Sequence, residues 1–173
     1  MVELHTSSGL VVKTTIPPGF GVIPDVRWHG VVTAAPVSDT PPARGAIEFM
    51  DATPQEYLER WMACNEVFGD KVELVSVIRW SDGLVSFAIT QPQYHGIPAE
   101  PREIERFFND AGWVRLKDPS GHAVFFNHAF GVMAIDAEKR NCYVNEWGLQ
   151  PFDVILRKPD EQLDRFLGIH PDA

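Results

Sequence analysis

A chain of 173 residues with 45% hydrophobic and 23% charged side chains has the composition of one globular domain with a single sizeable core. Its 24 acidic against 15 basic residues give a formal charge of −9, which disfavours general attraction to nucleic acid or to an anionic membrane surface. The two cysteines, Cys64 and Cys142, form no Cys-x-x-Cys pair, and no apolar run approaches the roughly 18 residues of a membrane span, so reduced thiols in a cytoplasmic protein are expected.

In chain order, GLVVKTT over residues 9–15 is rich in β-formers, and Pro17-Pro18-Gly19 stops that strand. Further β-type runs cover Trp28 to Thr33 and Ala46 to Met50, separated by the proline-rich loop AAPVSDTPPARG. A helix is predicted over Thr53 to Phe68, with Thr53 as N-cap, Pro54 at the first helical position, Glu56 completing a capping box and Gly69 as terminator. Tyr57, Leu58, Trp61, Met62 and Phe68 share its apolar face, with Asn65 in the middle. Val72 to Trp80 and Leu84 to Thr90 form a hairpin around Ser81-Asp82-Gly83.

After Gln91-Pro92-Gln93-Tyr94-His95-Gly96, a second helix is predicted over Pro101 to Ala111, with Ile104, Phe107, Phe108 and Ala111 at helical spacing and Gly112 behind. Two hairpins follow: Trp113 to Lys117 with His122 to Asn127, and Cys142 to Asn145 with Leu149 to Leu156. Phe130 to Ile135 is a short strand between them. Leu163, Phe166 and Leu167 mark a last helix before Gly168.

The sharpest chemical constellation is Asp136, then Asn141 five residues on, then Asp153 after a further twelve. Phosphotransfer to a hydroxyl needs a carboxylate beside the nucleophile and oxygen ligands for Mg²⁺, and protein kinases use the same Asp-x-x-x-x-Asn spacing. Asp and Asn also cap turns between strands, which leaves a turn-chemistry reading open. Lys13 within an apolar strand has the alternative of an edge lysine that snorkels to solvent. Asn65 has the alternative of satisfying a backbone group.

The segments LVVKTTIPPGFG, ATPQEYLERWMACNEVFGDKVEL, AITQPQYHGIPAEPREIERFFNDAGW and IDAEKRNCYVN with LQPFDVILRKP span most of Gly9 to Pro159. Together they resemble the protein kinase domain found in polyvalent proteins of phages and conjugative elements. The resemblance implies a single α+β, kinase-like minimal core over 1–173: an N-lobe-like part over 1–90 with one main helix on an antiparallel sheet, a hinge over 91–96, and a reduced, β-rich C-lobe over 97–173. It implies that Lys13 contacts the phosphates of ATP, that Asp136 is the catalytic base, and that Asn141 and Asp153 hold Mg²⁺. Asn65 would replace the helix glutamate that usually meets the lysine, and Gln91 and Gln93 would border the adenine.

The same resemblance implies a shortened domain. Only twelve residues precede Lys13, with one glycine among them, and twenty follow Asp153, so the glycine-rich hairpin and most of the helical substrate lobe are expected to be missing. Two functions follow as expectations: Mg-dependent nucleotide binding with phosphotransfer, or a pseudokinase-like interaction or immunity-type accessory protein whose acidic surface meets a basic protein partner.

Overall fold

The computed structural model describes residues 2–5, 9–29 and 44–170. Three helices and thirteen strands are present among them, and every described strand pair is antiparallel. The first sheet has the order β1-β2-β6-β5, formed by β1 (Val2–His5), β2 (Leu10–Thr14), β5 (Glu73–Arg79) and β6 (Val85–Pro92). A separate two-stranded sheet pairs β3 (Val22–His29) with β4 (Arg44–Asp51). In the second half, β13-β10-β9-β8 form one sheet from β8 (Val114–Leu116), β9 (Val124–Asn127), β10 (Val132–Ile135) and β13 (Ile155–Arg157). β12-β11-β7 form another from β7 (Ile97–Pro98), β11 (Cys142–Asn145) and β12 (Gly148–Pro151).

Helix α1 (Pro54–Phe68) forms where its caps require it. The Thr53 side chain accepts from the Glu56 backbone N–H, and the Glu56 carboxylate accepts from the Thr53 N–H at 2.9 Å. Gly69 ends the helix at φ 70°, where a side chain would strain the backbone. The buried stripe is Tyr57, Trp61 and Cys64. Met62, expected on this face, is 69% exposed, because it sits at the margin of the apolar arc.

The sheet β13-β10-β9-β8 lies between two cores. Phe125, Val132, Ala134 and Leu156 face one side, where α1 and helix α2 (Pro101–Asp110) bury Trp61, Cys64, Ile104 and Phe108. Val124, Phe126, Met133, Ile135 and Ile155 face the other side, covered by helix α3 (Glu161–Leu167) and by Val26 and Ile47 of the β3–β4 hairpin. Burial on both faces explains the uninterrupted apolar runs Val124 to Phe126 and Val132–Ile135, in which no position alternates to polar. Both cores draw residues from either side of the 91–96 segment.

Most expected elements appear, with three differences of extent. The strand expected over Trp28 to Thr33 runs instead as Val22–His29. Pro24 and Asp25 interrupt its β-type run in sequence, but a two-stranded sheet leaves a free edge that tolerates the missing proline N–H. Residues 30–33 and most of the loop over 34–45 lie outside the described residues. The strand expected over Leu149 to Leu156 is two strands in different sheets, parted at Phe152-Asp153-Val154. β6 also runs through Gln91 and Pro92, so the hinge-like segment begins inside a strand.

Candidate functional site

Lys13 belongs to an interior strand, since β2 is paired by β1 on one side and by β6 on the other. The edge-strand reading of Lys13 therefore falls. Its side chain is 18% exposed, and Nζ lies 3.2 Å from Asp153 Oδ1 and 5.0 Å from the centre of the Trp61 ring. The carboxylate contact is off the direction of a hydrogen bond, so it acts chiefly through charge. Burial pulls the lysine pKa below its ordinary value, and Asp153 opposes that shift.

Asp153 sits in the break between β12 and β13, where no ladder holds it. Arg60 of α1 fixes it instead, donating from Nη2 to the Asp153 carbonyl at 2.8 Å and to Oδ1 at 2.9 Å. The Arg60 guanidinium also lies over Trp61, 4.7 Å from the ring centre. One carboxylate oxygen thus meets two cations that both lie within 5.0 Å of the Trp61 ring centre. Asp153 Oδ2 meets no partner among the described residues. Lys13 Nζ, Arg60 Nε and Trp61 Nε1 are buried donors without an acceptor among them.

The second pair lies one hairpin away. Asp136 follows β10 with φ 63°, a left-handed conformation uncommon for a residue other than glycine. Asn141 Nδ2 donates to the Asp136 carbonyl and to Oδ2, both at 2.8 Å, while Arg140 pairs with Oδ1. The Asp136 charge raises the Arg140 pKa. Asn141 is joined to the segment carrying Asp153, because the Phe152 N–H donates to the Asn141 carbonyl at 3.0 Å. The fold therefore unites Lys13 with Asp153 and Asp136 with Asn141, and the β11–β12 hairpin ties the two pairs together.

A buried layer lies under this centre. Gln91 is 2% exposed, and its Nε2 donates to the Phe152 carbonyl at 2.6 Å. Tyr94 stacks on Phe152 at 5.9 Å and donates its hydroxyl to Asp70 Oδ1 at 2.6 Å. Burial pushes the Asp70 carboxyl up to about 6, while the Tyr94 hydroxyl and the charges of Lys13 and Arg60 pull it down and Asp153 pushes it further up. The folded chain thus holds a proton on Asp70 that the unfolded chain loses near the ordinary aspartate value of 3.8. Stability contributed by this group is present below that value and is lost as pH rises through about 6. Asp70→Asn is expected to match the wild type near pH 4 and to exceed it by on the order of 2–3 kcal/mol at pH 8. Urea unfolding of both proteins across that range, read as a difference, checks it.

Three expected ligands stand differently. Asn65 spends its amide on one backbone unit, donating from Nδ2 to the Val72 carbonyl at 2.8 Å and accepting from the Val72 N–H at 2.7 Å. It clamps the entry to β5. Gln91 uses its side chain inside the fold. For Gln93 the described bond is from its backbone N–H to the Gly9 carbonyl, at 2.8 Å. Arg60, Trp61 and Asp70 were not singled out as site residues from sequence, and Tyr94 entered only as part of the hinge-like segment. The one available signal is Arg60 beside Trp61 at the edge of the apolar stripe of α1.

The donor set bears on Mg²⁺. Asp153 Oδ2 and Asn141 Oδ1 are oxygens without a protein partner among the described residues, and no three His, Cys, Asp or Glu side chains cluster there. Mg²⁺ commonly takes one or two protein oxygens and completes its shell with water and substrate phosphates, so this sparse set fits a nucleotide-borne ion. Arg60 also lines a groove of about 410 Å³, together with Ile23, Met62, Phe130 and Lys158 among others. At the centre itself, Asp153 is open to solvent while Lys13 and Arg60 are largely buried.

No known protein family, curated protein or solved structure matches the chain. Among the described residues, no helix is long and apolar enough to cross a membrane. Cys64 and Cys142 are free, and burial pushes each thiol up to about 12, which leaves neither suited to nucleophilic work.

Proposed function

We propose that this chain is a kinase-like nucleotide-binding domain capable of Mg-dependent phosphotransfer. The observation that carries the reading is the 3.2 Å meeting of Lys13 and Asp153 from opposite ends of the chain. In this reading Lys13 and Arg60 receive nucleotide phosphates, which supply hydrogen-bond acceptors for Lys13 Nζ and Arg60 Nε. Asp153 and Asn141 hold Mg²⁺, which neutralises charge on the phosphates. Asp136, held by Asn141, accepts the proton of the attacking hydroxyl. Its left-handed backbone fits a residue constrained for function. Arg60 stands where a helix glutamate is usual, so the lysine is oriented through Asp153 and Trp61.

A second reading is a non-catalytic interaction protein, favoured by the closed packing of Tyr94 and Gln91 on the Phe152 segment and by the pairing of Asp136 with Arg140. Thermal unfolding with Mg-ATP separates the two. The first reading expects the midpoint to rise with nucleotide concentration, to fall back on chelation, and to be insensitive to nucleotide in Lys13→Met and Asp153→Asn. Absence of any shift in the wild type at millimolar Mg-ATP overturns nucleotide binding and leaves the interaction reading.

A further inference from the structure

Arg60 belongs to two places at once. Its Nη2 holds Asp153, and its side chain also lines the groove of about 410 Å³, a volume that suits a small organic ligand. Val132 and Leu156, both nearly fully buried, form the floor of that groove. Phe130, 43% exposed in the turn between β9 and β10, and the exposed Met62 of α1 supply apolar surface that a ligand could cover.

The polar groups of the groove select its occupant. Arg60 Nε is a buried donor without an acceptor, and Lys158 adds a second cation. Glu59 and Glu66 of α1 are acceptors. Glu66 stands in the last turn of the helix, where the dipole disfavours a carboxylate and no basic residue offsets it. A fatty anion would leave these carboxylates unmet, and a basic peptide would leave Arg60 and Lys158 unmet. An adenine nucleotide meets both, with phosphates for the cations, an amine and ribose hydroxyls as donors to the carboxylates, and a flat base for Phe130 and Met62. The 91–96 segment offers less to a base, because Gln91 turns its amide to the Phe152 carbonyl and Tyr94 turns its hydroxyl to Asp70. We infer that the adenine and ribose lie in this groove, against Phe130 and Met62, while the phosphates reach Arg60 and Lys13. The placement rests on the nucleotide reading of the charge centre and locates the base that this reading leaves open.

The test is isothermal titration calorimetry of the full chain with Mg-ATP and with magnesium tripolyphosphate, which keeps the phosphate chain and lacks the nucleoside. Phe130→Ser should weaken Mg-ATP binding by roughly tenfold, the scale of one base–aromatic contact, and leave tripolyphosphate binding unchanged. Met62→Ser should weaken Mg-ATP by a smaller factor with the same selectivity. Both side chains are exposed, so the ligand-free melting temperatures should stay close to the wild-type value. Unchanged Mg-ATP binding in both variants overturns the groove placement and leaves nucleotide binding standing. Equal weakening of the two ligands also overturns it, because the groove then acts on the phosphates and not on the base. Failure of the wild type to bind either ligand removes the nucleotide reading and this placement with it.

Discussion

Phe108→Ala is expected to cost about 3–5 kcal/mol, the largest loss from a single substitution proposed for this chain. Phe108 is 0% exposed and stacks face to face on Phe125 with ring centres 4.4 Å apart. It also meets Trp113 edge-on at 5.2 Å and Phe68 at 6.2 Å. One ring thus fastens α2 to β9 and to the end of α1, and its removal leaves a cavity bounded by aromatic rings that cannot collapse without moving three elements. Phe107→Ala serves as the control, because Phe107 is only partly buried and its loss should cost a smaller amount. Urea unfolding followed by tryptophan fluorescence measures both.

Asp153→Ala is expected to lower stability by about 2 kcal/mol, short of the ~3–5 kcal/mol seen when a fully buried ion pair loses one partner. The discount follows from exposure: the Asp153 side chain is 42% exposed, while Lys13 and Arg60 are 18% and 11% exposed. Without the carboxylate the two cations remain near each other at the Trp61 ring and lose their nearest counter-charge. Arg60 keeps the residue-153 carbonyl, but Lys13 keeps only the indole face. Adding Lys13→Met to Asp153→Ala should therefore recover part of the loss, since a side chain of similar volume then needs no counter-charge. A double variant no more stable than Asp153→Ala alone would show that the Lys13 charge is not what the carboxylate stabilises. The ligand-free measurement also fixes the baseline against which the Mg-ATP response of Asp153→Asn is read.

The local elements were legible because their causes are local. Thr53, Pro54, Glu56 and Gly69 specify both ends of α1 within a few residues, and Ser81-Asp82-Gly83 closes the β5–β6 hairpin by turn chemistry alone. α2 and its apolar spacing, and the final helix with Gly168 as its left-handed cap, follow in the same way. The pairing of Asp136 with Asn141 was also within reach, as the two are five residues apart in one loop.

Other features were decided only by tertiary structure. Residues 149–156 read in sequence as one strand, yet the chain leaves one sheet at Pro151 and joins another at Ile155. Periodicity cannot register that step, because the change of partner strand leaves no mark in the local pattern. Asn65 looked available for the lysine until the turn into β5 brought Val72 within reach of its amide. The charge centre depends on contacts such as Arg60 to Asp153, separated by 93 residues, which exist only once α1 packs beside the break between β12 and β13. Sequence determined which helices and hairpins form and supplied Lys13 and Asp153 as charged residues. Sheet assembly decided that they meet, because bringing distant segments together requires two buried cores to offset the entropy of closing the long loop between them.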